Sequence, residues 1–165
     1  MAKEKTLDDL FHETLKDIYY AERKILKALP KMKRAAQSDA LRSAFDKHYQ
    51  ETEGQIERLH RVFELIDKPA RGKSCDAIEG IIAEGEEVAS EFKDTPALDA
   101  GLIAAAQAVE HYEISRYGTL KRWALELHLS EAANLLDETL KEEAKTDSDL
   151  TKLADGLANA RAKAA

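Results

Sequence analysis

The chain has 165 residues, of which 44% are apolar and 35% charged, and its formal net charge is −7. That length fits one domain with a core of its own, and a negative field argues against a protein that coats nucleic acid or anionic membranes. The basic tip Met1-Ala2-Lys3-Glu4-Lys5 is too short to reverse this. No apolar run approaches the roughly 20 residues that span a bilayer. Met1 to Leu10 lacks the apolar stretch of a leader. Cys75 is the only cysteine, so no internal disulfide is available and the expected home is a reducing cytoplasm.

Abundant Ala, Glu, Lys and Leu with few Gly and Pro predict an all-α fold. The first helix is expected over about 7–36. Thr6 and Asp9 have capping-box spacing, and Leu7, Phe11, Thr14, Ile18, Ile25, Leu29 and Met32 recur at helical steps. Pro30 should kink its last turns. Ser38-Asp39 starts a second helix over about 39–67, with a stripe of Leu41, Phe45, Tyr49, Ile56, Leu59, Phe63 and Ile66. Asp67-Lys68-Pro69 and Gly72 end it. A connector follows that carries a shorter helix over about 75–92, weakened by Gly80 and Gly85.

Thr95 as cap and Pro96 at the first helical position predict a third long helix over about 96–127. Its stripe is Leu102, Ala106, Val109, Tyr117, Leu120 and Ala124. Ser130 opens a fourth, over about 130–162, with Leu136, Thr139, Leu140, Leu150, Leu153 and Leu157. Thr146-Asp147-Ser148-Asp149 is expected as a kink or break in it. Short loops make each pair antiparallel, and one long crossover joins the pairs. That is the ferritin-like variant of the four-helix bundle, here a single domain over 1–165.

The informative acids interrupt apolar stripes. Glu22 follows Ile18 and precedes Ile25 on the first helix. Glu110 and Glu113 stack between Ala106 and Tyr117 on the third. Glu143 lies between Thr139 and Thr146 on the fourth, with Asp147 one turn beyond. On the second helix, His48, Glu51, Thr52 and Gln55 form a polar cluster. With a rise of about 1.5 Å per residue, all four helices bring acids to one level near mid-height.

A buried, unpaired carboxylate is too costly to keep. Several at one depth require protons or cations, and carboxylate oxygens with some imidazole suit iron or manganese. The metal-ligand candidates are therefore Glu22, His48, Glu51, Glu110, Glu113, Glu143 and Asp147. The known recipe takes one Glu from each of two helices and a Glu-x-x-His from each of the others. The only literal match is Glu57-Arg58-Leu59-His60, whose acid and imidazole flank core Leu59, and the fourth helix has no His. Each candidate also has a bland reading. Glu22 can snorkel to water, His48 can bond a carbonyl, and Tyr19, Tyr20, Tyr112 and Tyr117 are amphipathic packing residues. Glu142, His111, His12 and His128 read as exposed or peripheral, and Cys75 as incidental. The metal reading rests on coincidence across four helices.

In order along the chain, Asp17-Ile18-Tyr19-Tyr20-Ala21-Glu22, Leu29-Pro30-Lys31-Met32, His48 with Glu51 to Leu59, Val109-Glu110-His111-Tyr112-Glu113 before Tyr117-Gly118-Thr119-Leu120, and Leu140-Lys141-Glu142-Glu143 before Thr146-Asp147 resemble the YciF/YciE family of ferritin-like stress proteins. The resemblance covers essentially the whole chain. It implies a rubrerythrin-like bundle, a homodimer and a link to bacterial stress, and a ferroxidase label by fold analogy. Two functions are expected to compete. One is a di-iron carboxylate protein with oxygen or peroxide as oxidant. The other is a non-enzymatic bundle without metal, acting in structure or interaction. A DNA-protecting role is opposed by the charge of −7.

Overall fold

The structure, a computed structural model, describes residues 3–164 apart from the side chain of Leu157. Met1 and Ala2 of the basic tip, Ala165 and the stripe position Leu157 thus lie outside the described residues. The chain forms α1 (Leu7–Ala35), α2 (Asp39–Leu65), α3 (Asp76–Glu91), α4 (Leu98–Glu126) and α5 (Ser130–Leu153). A π-helical turn over Ala154–Ala158 and α6 (Asn159–Lys163) complete it. Among the described residues no helix is long and apolar enough to cross a membrane.

The four long helices close a ring in which α1 packs on α2, α2 on α5, α5 on α4, and α4 on α1. The crossover helix α3 lies outside, over the seam between α1 and α4. The buried residues explain why. On α1, Phe11, Leu15, Ile18, Glu22, Ile25 and Leu29 are buried, alternating steps of four and three. On α2 the line is Leu41, Phe45, His48, Thr52, Gln55, Leu59 and Val62, and on α5 it is Leu136, Thr139, Glu143, Thr146 and Leu150. Spacing of this kind keeps one narrow stripe facing a neighbour along a whole helix, the pattern of near-parallel bundle packing.

The local signals act as chemistry requires. The Thr6 backbone N–H donates to Asp9 Oδ2 at 2.9 Å, and Ser38 Oγ accepts from Leu41 N–H at 3.2 Å. The backbone N–H groups of Gln37 and Ser38 donate to Asp99 at 2.7 and 2.9 Å. This bond ties the α1–α2 turn to the first turn of α4. It follows that α2 and α4 run in the same direction, as a long crossover demands.

Helix α3 docks through Ile78, its one buried residue, with Ile81, Ile82 and Ala89 half-buried against the core. Glu79 pairs with Lys24 at 2.8 Å and accepts a bond from the Tyr20 hydroxyl. A Cβ at Gly101 would stand 2.6 Å from Val88 Cγ1, so glycine there lets α3 lie close on α4.

Four expectations need correction. Helix α4 begins at Leu98 and not at Pro96. Asp94 adopts a left-handed φ of 60°, and the Thr95 hydroxyl donates back to Phe92 O, so a turn occupies the predicted first helical positions. Residues 146–149 do not break α5, which runs unbroken through them, and Thr146 Oγ1 spends its bond on Glu51 rather than on capping a helix. The irregularity falls instead at the π turn around Gly156. The α2 stripe passes through His48, Thr52 and Gln55, while Tyr49 and Ile56 are only half-buried. Thr14 is likewise half-buried, with Leu15 taking the core position.

Candidate metal centre

Side chains from all four long helices meet at mid-height of the core. Glu22, Glu110, Glu113 and Glu143 are each 0% exposed and His48 is 3% exposed. His48, Glu110, Glu113 and Glu143 each bring a donor atom within 4.8 Å of all the others. His48 bridges two helices, with Nδ1 3.1 Å from Glu110 and Nε2 3.9 Å from Glu143. Glu22 lies beside this group, from α1. It accepts a 2.5 Å bond from the Tyr117 hydroxyl and lies close enough to Glu113 to share a proton.

The local reason is the stripe itself. The steps from Ile18 to Glu22 to Ile25, and from Glu110 to Glu113 to Tyr117, place these acids where apolar side chains would otherwise go. At 0% exposure they are withdrawn from bulk solvent. Burial, reinforced by the charge of Glu143, pushes the Glu22 carboxyl up to about 8. Burial likewise drives Glu110 and Glu113 well above the usual carboxylate range, with neighbouring acids adding to it. Burial lowers His48, although the charge of Glu143 opposes it. Burial raises Tyr117 as well, with help from Glu22.

With every acid ionised, six carboxylate oxygens of this group have no hydrogen-bond partner: Oε2 of Glu22 and Glu143, and both oxygens of Glu110 and Glu113. A proton or a cation between Glu22 and Glu113 and between Glu110 and Glu143 is what answers them. His48 Nε2 and Gln55 Oε1 are also unpartnered. Native interiors rarely leave so many polar atoms unsatisfied in one place. A donor set of carboxylate oxygens and one imidazole is the set that hard and borderline divalent ions take. The group can hold a metal ion.

Of the seven predicted residues four form this group and Glu22 adjoins it, whereas Glu51 and Asp147 lie away from these buried acids. The side chain of Glu51 is 20% exposed and pairs with Lys47 at 2.8 Å. That of Asp147 is 21% exposed and faces His111 Nε2 at 3.1 Å. Both sit one residue off the buried stripe, about 100° around the helix.

The sequence reading also missed several partners. Gln55 donates to Glu143 and, at 3.1 Å, to Glu142. Glu142, expected in solvent, is half-buried and gripped by Arg58 at 2.9 and 2.5 Å. Tyr117 is a bond donor to the acid group and not simply a packing residue. Cys75 is buried, with Sγ 3.0 Å from the Tyr112 hydroxyl. His60 sits at the bundle edge, 3.1 Å from the Tyr19 hydroxyl, while Glu57 is exposed. The available signal for Gln55 was its position, since Leu41, Phe45, His48, Thr52, Gln55 and Leu59 share one line.

The sequence matches the family described as domain of unknown function (DUF892) over residues 6–163. It is 45% identical to protein YciF of Escherichia coli strain K12 over 160 residues, 96% of each chain. The crystal structure of that E. coli stress protein is similar with a TM-score of 0.90, over 94% of this chain and 99% of the other. YcfI from Rhodopseudomonas palustris, 46% identical, gives 0.87 over 89% of this chain and 94% of its own. A protein of Xanthomonas campestris pv. campestris shares the fold at 18% identity, with a TM-score of 0.75 over 95% and 96% of the two chains. The chain belongs to the DUF892 family and is a homologue of the stress protein YciF.

Proposed function

We propose that this protein is a stress-associated metal-binding bundle whose core holds a pair of divalent cations, iron first and manganese second. The observation that carries the reading is the set of six unpartnered carboxylate oxygens beside an unpartnered imidazole nitrogen, all sealed from water. Four ionised glutamates carry a charge that two divalent ions would balance. Protons alone would leave much of the acceptor capacity unused. Glu110, Glu113, Glu143 and His48 would hold the pair, with Glu22 joining from α1.

Ferrous iron would then be a substrate, with two electrons from a bound pair reducing one hydrogen peroxide and two protons to two waters, or one dioxygen and two protons to peroxide. The protein's own contribution is positioning. His48 is fixed between Glu110 and Glu143. Gln55, held by Glu142 and so by Arg58, orients Glu143. Tyr117 fixes one oxygen of Glu22, leaves the other free, and keeps a phenol at hand to intercept stray radicals. The resemblance to the YciF/YciE family adds a homodimeric state to the reading.

A second reading, a protonated core with a structural or interaction role and no metal, is favoured by the bonds from Tyr117 to Glu22 and from Gln55 to Glu143. Anaerobic titration of the purified chain with ferrous and manganous ions separates the two. Two tightly held ions per chain support the metal pair. Absence of stoichiometric uptake of either ion supports the protonated core.

A further inference from the structure

The acid group has an apolar side. Under the crossover helix, between α1 and α4, lies a cavity of about 70 Å³. Its walls are Ile25 and Leu29 of α1, Ile81 and Ile82 of α3, and Ala105 and Ala106 of α4. Lys31 and Glu86, 3.3 Å apart and both exposed, stand at its solvent edge. His48 is the one core histidine in its lining, and Nε2 of that ring is buried without a partner. The cavity therefore runs from a surface ion pair to a residue of the metal group.

Size and chemistry select the occupant. A cavity walled by aliphatic side chains gives a water molecule too few of the two to four polar partners it needs. Hydrogen peroxide and hydrated cations are disfavoured for the same reason. An engineered cavity of about 150 Å³ binds benzene, and this one, at about 70 Å³, is tight for an aromatic ring or an acyl chain. A diatomic apolar gas fits. Polar traffic has its own side, because the chain of Arg58, Glu142, Gln55 and Glu143 lies at the α2–α5 seam, opposite α3.

We propose that this cavity is a binding site for molecular oxygen, from which the gas reaches the His48 side of the acid group. The inference rests on the reading of that group as a metal pair. Its first test needs no metal. Xenon, an apolar probe of similar reach, is applied under pressure to crystals of the full metal-free chain. Wild type shows a xenon peak between Ile25, Ile81 and Ala106. Ala28 of α1 also lines the cavity, so Ala28→Leu fills it and weakens that peak, and Ile81→Ala, which enlarges it, strengthens it.

The second test mixes ferrous-loaded protein with oxygen or with hydrogen peroxide. Ala28→Leu slows the reaction with oxygen roughly tenfold and leaves that with peroxide unchanged. An empty cavity under xenon, an oxygen rate indifferent to Ala28→Leu and Ile81→Ala, or density for an aliphatic chain in the cavity overturns the proposal. Failure to bind ferrous iron at all overturns the reading of the acid group instead, and is seen before any oxygen is added.

Discussion

Asp99 and Glu113 lie on the same helix and both are buried, but their surroundings differ in kind. Asp99 spends its two oxygens on the backbone N–H groups of Gln37 and Ser38. It caps the start of α2 and fixes where α4 meets the α1–α2 turn. Glu113 has neither oxygen satisfied and sits against Glu22, Glu110 and Glu143. One acid is a fastener whose charge is answered by the fold. The other is a carboxyl whose charge the fold does not answer, so that it keeps its proton until a cation replaces it, which is what a site for an external cation requires. Burial alone therefore says little about an acid, whereas burial with orphaned oxygens marks it out.

The largest expected effect is on the pH dependence of the metal-free protein. Glu22 is raised from 4.5 to about 8, and Glu110 and Glu113 are raised further from their usual range, all chiefly by burial. A carboxyl with a raised folded-state pKa contributes stability that is complete below its unfolded value and is lost as pH climbs through the folded one. Chelator-treated protein should therefore weaken between about pH 4.5 and 8, by an amount on the order of a few kcal/mol that belongs to Glu22 and its acidic neighbours together. His48, which burial lowers, opposes this at the acidic end, since its contribution is complete above its unfolded value and fades as pH falls. Urea unfolding across this range measures the slope, and Glu22→Gln should flatten it. A flat wild-type curve would mean that Glu113 is as well answered as Asp99.

Next in size is Glu113→Leu. In metal-free protein at pH 8 it should raise the unfolding free energy by about 1–4 kcal/mol, because a buried carboxyl without hydrogen-bond partners gives way to an apolar side chain. The same variant should lose metal binding. Asp99→Ala should do the reverse, lowering stability by about 2 kcal/mol in the same unfolding assay and leaving metal uptake intact, because two N–H groups lose their acceptor. Equal signs for these two variants would dissolve the distinction. The smallest effect should come from Glu51→Ala and Asp147→Ala. Both acids already have cationic or imidazole partners near solvent, so loaded stoichiometry should be unchanged and stability should move by about 0.5 kcal/mol or less.

The architecture was legible because helical periodicity, the Thr6–Asp9 and Ser38 caps and a single long connector all point to one bundle. The acid group was legible where acids interrupt greasy stripes, as Glu22 does between Ile18 and Ile25. On α2 the apolar stripe misleads, because Tyr49 and Ile56 are more apolar than His48, Thr52 and Gln55 and yet are only half-buried. Glu51 clusters in sequence with His48, Thr52 and Gln55, although the line through Phe45, His48, Thr52 and Gln55 excludes it. Asp147 failed by the same single step from Thr146. Two bonds had no sequence signal at all. The donation from Tyr117 to Glu22 and that from Gln55 to Glu143 join residues 95 and 88 positions apart, and only the docking of the helices reveals them.

The central claim is that the unanswered acids are answered by metal. Crystals of the full chain soaked anaerobically in ferrous iron and recorded above the iron absorption edge test it most directly. The account predicts two anomalous peaks per chain among His48, Glu110, Glu113, Glu143 and Glu22. A core without anomalous density, or iron found only beside Glu51 and Asp147, would contradict it.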